Sequence, residues 1–140
     1  MHKRLLSTGL ALGLCLGATL MSAGAAAAAI SGKINLICAA TNAVGCTGGI
    51  CLEGQAATFD MPNFMFVDAK RKLVHAINDK GEEVSSPIKS YEVTDNAIIL
   101  QGFENHRGWT LGIVRGDGAM SMSSIGADVN FMIFGNCTER

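Results

Sequence analysis

Short apolar segments separated by turn-forming residues recur along the chain from residue 33 to its end. None of them repeats apolar positions at the 3.6-residue period of an α-helix. The residues between them are mostly Gly, Asn, Asp and Lys, which is typical of antiparallel strands joined by tight turns. The pattern therefore predicts an all-β domain.

The segments predict a meander of seven or eight strands. The strands are expected at 33–38, 64–68, 72–77, 91–93, 97–103, 108–115, 119–123 and 129–135, with a weak edge segment at 82–88. Residues 39–55 are small and glycine-containing, so we expect a long loop, and residues 56–59 pair at most briefly before Pro62. Because closure removes unpaired edges, the meander favours a small barrel, with a two-sheet sandwich as the alternative.

The N-terminus has the layout of a secretory signal. Lys3 and Arg4 precede an uncharged apolar run that reaches Ile30, and small residues suited to cleavage surround Ala25 and Ala29. We expect a signal peptide at 1–29 and a single exported domain at 30–140. The sequence does not separate periplasmic residence from secretion into the medium.

The charge of the exported part argues against two classes of partner. Beyond residue 29 the chain has nine Lys and Arg side chains against twelve Asp and Glu side chains. Nucleic acids and anionic membranes attract basic surfaces. We therefore expect no nucleic acid and no membrane anchor after signal cleavage.

Four cysteines remain after cleavage, and an even number in a small exported domain indicates two disulfides with three possible connectivities. The stretch CTGGIC places two glycines where a tight loop needs them, which favours Cys46 with Cys51 and leaves Cys38 to join Cys137. Loop-closure entropy gives about 4.7 kcal/mol for the long bridge and about 2 kcal/mol for the short one. Redox and zinc sites usually need Cys-x-x-Cys spacing, which CTGGIC lacks.

Residues 104–109 form the one polar cluster with catalytic-type side chains. No Ser, Cys or acid stands at a known motif spacing from His75 or His106, so no catalytic triad is predicted and we expect no enzyme. Arg107 and Trp109 share a strand face, a pairing common at interfaces. With His106 they form a candidate contact surface, whereas the structural alternative places Trp109 in the core.

Methionine is the one candidate metal ligand. Met120 and Met122 share a face of a predicted strand, and thioethers suit Cu(I) in an exported protein. Adaptable core packing is the structural alternative. We therefore predict no cofactor and keep copper as a weak candidate.

The C-terminal third resembles a group of small exported bacterial proteins without an assigned function. The resemblance lies in Arg107-Gly-Trp109-Thr110, Asp117-Gly118, Ala119-Met120 and the ending Phe131-Met-Ile-Phe134-Gly135-Asn-Cys137-Thr138. It covers mainly residues 105–138. It implies an exported β domain and no particular activity.

Periplasmic lysozyme inhibitors offer a looser resemblance. One family is an eight-stranded barrel, and another has a disulfide loop, Cys-Lys-Pro-His-Asp-Cys, with the same spacing as CTGGIC. In that family the loop His and Lys engage the lysozyme carboxylates, which residues 47–50 here cannot do.

The sequence therefore predicts a non-catalytic exported binding or envelope-associated module. Its partner is an unknown protein or envelope component, contacted through Arg107, Trp109 and the CTGGIC loop. The alternatives are a small-ligand or copper-binding barrel, which requires a cavity of roughly 300 Å³ or more, and a protein similar to lysozyme inhibitors.

Overall fold

A computed structural model of the chain describes residues 29–32, 35–78 and 80–140. The predicted signal peptide, apart from Ala29, lies outside these residues. The strands are β1 (Leu36–Thr47), β2 (Ile50–Gly54), β3 (Phe64–Asp68), β4 (Leu73–Ile77), β5 (Glu83–Val93), β6 (Ala97–Glu104), β7 (Arg107–Val114), β8 (Ala119–Ile125) and β9 (Asn130–Glu139). Within the described residues no helix is long and apolar enough to cross a membrane.

Eight of the strands close into an antiparallel barrel, which confirms the predicted fold. Strands β3 to β9 pair in chain order, β1 pairs with β3, and β9 returns to pair with β1 from Leu36–Glu139 to Cys46–Asn130. The ninth strand, β2, pairs only with the second half of β1 and forms a hairpin beside the barrel. The eight barrel strands agree with the predicted seven or eight, and β2 is an additional strand outside the closed ring. The sandwich alternative is wrong, because all nine strands belong to one sheet.

The predicted long loop at residues 39–55 is also wrong. Strand β1 continues to Thr47 and turns directly into β2 at Gly48 and Gly49. Its inward-facing residues Ala43 and Gly45 are small and buried. Because they are small, they give little hydrophobic signal in the sequence. Backbone pairing with β2 and β9 defines this part of the strand.

Two further segments differ from the prediction. The predicted edge segment at 82–88 is not an edge strand, since residues 83–88 belong with 91–93 to β5, an 11-residue strand that pairs with β4 on one side and β6 on the other. The register shifts between Ile88 and Ser90, just after Pro87, which accommodates a residue that cannot donate a hydrogen bond. Residues 56–59 form a short 3-10 helix rather than a strand.

One end of the barrel is closed by the segment that precedes β1. Ile30 is 2% exposed; its N–H donates to the Arg115 carbonyl at 2.8 Å and its carbonyl accepts from Arg115 Nε at 2.8 Å. The Tyr91 hydroxyl donates to the Gly32 carbonyl, and burial raises the pKa of that hydroxyl. Leu100 and Leu111 fill the interior above this closed end.

Both predicted disulfides are present. Cys38 bonds to Cys137, its direct partner in the β1–β9 ladder, and the two residues are 0% and 6% exposed. Cys46 bonds to Cys51 across the β1–β2 hairpin, nearer solvent. Two disulfides are consistent with an oxidising, exported location.

The two disulfides should differ in their contribution to stability. We expect Cys38→Ala/Cys137→Ala to lower the free energy of unfolding by about 4.7 kcal/mol and Cys46→Ala/Cys51→Ala by about 2 kcal/mol, because the first closes a far longer loop. Urea unfolding of the two double variants measures this difference. Equal losses, or a larger loss from the hairpin bridge, would contradict it.

Candidate functional site

A cavity of about 620 Å³ opens at the end of the barrel opposite Ile30. This open end is formed by the β1–β2, β4–β5 and β6–β7 turns, the β8–β9 loop and the 3-10 helix. The larger apolar side chains that line the cavity are Phe59, Met61, Met65, Met122, Phe131 and Ile133. Its polar lining includes Ser86, Ser124, Glu104 and Arg107, with His75 and Glu83 at one side.

The cavity exists because the inward-facing positions change size along the barrel. Ala76, Ser86 and Ser124 occupy inward-facing positions nearer the open end, where their side chains leave the interior unfilled. The large Leu100 and Leu111 occupy the opposite half and are fully buried. A funnel-shaped apolar space is the result.

One wall of the cavity comes from the 3-10 helix. A Cβ atom at Gly45 would lie 2.9 Å from the Phe59 ring and 3.1 Å from the Phe131 ring, so glycine lets Phe59 pack directly on β1. The two rings meet edge to face with centroids 5.9 Å apart. This geometry is favourable for aromatic pairs.

Trp109 faces the barrel interior, where the structural alternative to a contact surface places it. Residues 107, 109, 111 and 113 share the inner face of β7, and Trp109 is 7% exposed. Its ring lies over Gly102, where a Cβ atom would come within 2.2 Å. The indole Nε1 donates to Ser86 Oγ at 2.8 Å, and Ser86 lines the cavity.

Arg107 lines the cavity but is held by the β8–β9 loop. Its Nη1 donates to the Val129 carbonyl and its Nη2 to Asp128 Oδ1, each at 2.7 Å, and its Cζ lies 5.5 Å from the Phe131 centroid. Hydrogen bonds from the Val129 and Asp128 backbone N–H groups, and then the Arg107 charge, lower the pKa of Asp128. Thr47 Oγ1 donates to the Asp128 carbonyl, joining the CTGGIC hairpin to the same loop.

The third predicted contact residue, His106, lies in the β6–β7 turn. Asn105 and His106 are the two turn residues, with φ of 49° and 63°, the conformation of a two-residue hairpin turn. The His106 side chain is exposed and does not line the cavity, whereas Asn105 does. Arg107 is therefore the one member of the predicted contact surface that lies at the cavity.

Glu104 is a site residue whose role the sequence analysis did not assign. It ends the inner face of β6, after Ile98, Leu100 and Gly102, and lines the cavity half-buried. Within the described residues its carboxylate has no hydrogen-bond or salt-bridge partner. The alternation along β6 is the signal that places it inside the barrel.

The methionines divide between the core and the cavity. Met120 and Met122 do share the inner face of β8, but Met120 is 5% exposed in the core and only Met122 lines the cavity, with Met61 and Met65. His75 lies 3.3 Å from Glu83 and stacks on Phe66. The described residues contain no group of three or more His, Cys, Asp or Glu side chains placed to hold a metal ion.

No protein-family model matches the chain, and a search of the curated proteins found no match.

The hydrogen bond between Trp109 and Ser86 should contribute to stability. We expect Ser86→Ala to lower the free energy of unfolding by about 1–3 kcal/mol, because it leaves a buried indole N–H unpaired. Trp109 is the only tryptophan, so its fluorescence spectrum and urea unfolding both report the change. Ser121→Ala, on the exposed face of β8, is the control, and an equal loss in both variants would contradict the assignment.

Proposed function

We propose that this protein is a non-catalytic binding protein, exported to the periplasm or beyond, that holds a small and largely apolar molecule in the barrel cavity. The observation that carries the proposal is the cavity of about 620 Å³. Sites for small molecules typically measure about 300–1,000 Å³ and combine an apolar wall with a few polar groups. The cavity has this composition.

The arrangement of the polar groups supports binding rather than catalysis. Ser86 accepts the indole N–H of Trp109, and neither Ser86 nor Ser124 is hydrogen-bonded to a histidine or carboxylate within the described residues. His75 is paired with Glu83 beside the cavity. Activation of a nucleophile requires such a base within hydrogen-bond reach.

A protein-binding function through the β1–β2 hairpin is the second candidate. Ile50 and Leu52 are 69% and 66% exposed, and the Cys46–Cys51 disulfide holds the hairpin that carries them. These residues do not line the cavity. A hairpin-mediated contact with a protein or envelope component would therefore be insensitive to substitutions inside the barrel.

Filling the cavity should weaken ligand binding. We expect N-phenyl-1-naphthylamine, a neutral apolar fluorophore, to bind with one-to-one stoichiometry and increased emission. Ser124→Phe should weaken its binding by about tenfold or more, equivalent to about 1.4 kcal/mol, because the ring occupies the cavity.

Ser123→Phe is the matched control, since Ser123 precedes Ser124 on β8 and faces the opposite side of the strand. It should bind the fluorophore as the wild type does. An absence of fluorophore binding to the wild type, or an equal loss in both variants, would contradict the proposed function.

A further inference from the structure

Two carboxylates line the cavity: Glu83, which contacts His75, and Glu104, which has no partner within the described residues. Glu104 and Arg107 are direct cross-strand partners at the β6–β7 turn and both face the interior. Adjacent opposite charges of this kind commonly form a salt bridge. Here no such bridge forms, and Glu104 faces the cavity without a partner among the described residues.

Arg107 does not neutralise Glu104 because its two terminal nitrogens are engaged on the other side. They donate to Asp128 and to the Val129 carbonyl at 2.7 Å each. Within the described part of the chain, Arg107 is the only Lys or Arg side chain that lines the cavity. A ligand anion would therefore meet a cation that is already paired with the Asp128 carboxylate, and a repulsive Glu104.

The open end of the barrel, formed by its turns, its loops and the ends of its strands, is also negative as a whole. Among the described residues it holds six carboxylates, from Glu53, Asp60, Glu82, Glu83, Glu104 and Asp128. The only cationic Lys or Arg side chains described there are Lys80 and Arg107. Such an imbalance attracts cations to the mouth of an apolar pocket.

From these observations we propose that the cavity takes an organic cation, meaning an apolar body that carries a protonated amine or quaternary ammonium group. Glu104 is the counter-ion, and the apolar body lies among Met61, Met65 and Met122. The Phe59 ring at the mouth adds an aromatic face of the kind that attracts cations. This inference rests on the proposed function and specifies its ligand class.

Three amphiphiles that share a decyl chain but differ in the charge of the head group distinguish the electrostatic contribution to binding from the apolar one. Decyltrimethylammonium, decanol and decanoate are each titrated against bound N-phenyl-1-naphthylamine below their micellar concentrations. We expect decyltrimethylammonium to bind with about tenfold higher affinity than decanol, as measured by displacement of the fluorophore, and decanoate to bind most weakly. Glu104→Gln should lower the affinity for decyltrimethylammonium by about tenfold, to that of decanol, and leave the affinity for decanol unchanged.

Glu92→Gln is the matched control, because it removes one negative charge from an exposed side chain of β5 near the closed end of the barrel. It should leave all three affinities unchanged. Equal binding of the three amphiphiles, preference for decanoate, or equal effects of both Gln variants would overturn the cation inference while leaving the cavity function intact. Failure of every probe to bind the wild type would overturn the proposed function as well.

Asp128 is a positioning residue in this account, since it holds Arg107 away from Glu104. Asp128→Ala removes the oxygen that accepts from Arg107 Nη2. It should let Arg107 approach Glu104, which weakens binding of the decyl cation and strengthens binding of decanoate in the same titration. A uniform loss for all three amphiphiles would show only structural damage and would overturn the positioning role.

Discussion

The pairing of the first strand with the last is the constraint on which the rest of the structure depends. Strand β9 pairs with β1 along nearly its whole length, and the buried Cys38–Cys137 disulfide crosslinks the pair. Without this ladder the meander would leave β1 and β9 as free edges, which favour aggregation. Closure also fixes the barrel diameter, and with it the space available to inward-facing side chains.

Within a barrel of fixed diameter, side-chain size decides which half is core and which half is cavity. Leu100 and Leu111 fill the closed half, and Ile30 covers its end. Ser86 and Ser124 leave the other half open. The same sheet thus provides a stable core and a preformed apolar cavity, which lowers the ordering cost of binding.

The electrostatics of the cavity depend on the β8–β9 loop as well as on the strand residues Glu104 and Arg107. The β8–β9 loop supplies Asp128, which accepts a hydrogen bond from Arg107, and its backbone hydrogen bonds and the Arg107 charge lower its pKa. Thr47 fixes the CTGGIC hairpin to the same loop. The Cys46–Cys51 disulfide therefore stabilises a hairpin that contacts Asp128 through Thr47. Asp128 in turn holds Arg107, the cross-strand partner of Glu104.

Much of the barrel could be predicted from the sequence, because local signals define it. Residues 64–68 were predicted with their observed bounds, and the disulfides followed from cysteine spacing and the glycines between two of them. Strand β2 was missed because residues 39–55 are mostly small and contain several glycines, and the alternation of Ile50 and Leu52 is too short to indicate a strand. The cavity itself was not predicted and entered only as a requirement of the small-ligand hypothesis. Its volume depends on residues from many strands, which the sequence alone does not bring together.

The burial of Trp109 illustrates the same limit. Its face was assigned correctly relative to Arg107, but which face points inwards depends on the whole barrel. Glu104 belonged to the polar cluster at 104–109, yet its isolation depends on Arg107 bonding to Asp128, 21 residues away. Contacts between residues so far apart along the chain leave no local signal in a single sequence.

The central claim is that ligands enter the open half of the barrel, and methionine methyl groups test it most directly. The 13C-methyl NMR signals of the protein are followed during titration with N-phenyl-1-naphthylamine. The account predicts shifts for Met61, Met65 and Met122, which line the cavity, and none for Met132 on the outer face of β9. Shifts at Met132 with unchanged cavity methionines would place binding on the outside of the barrel and contradict the account.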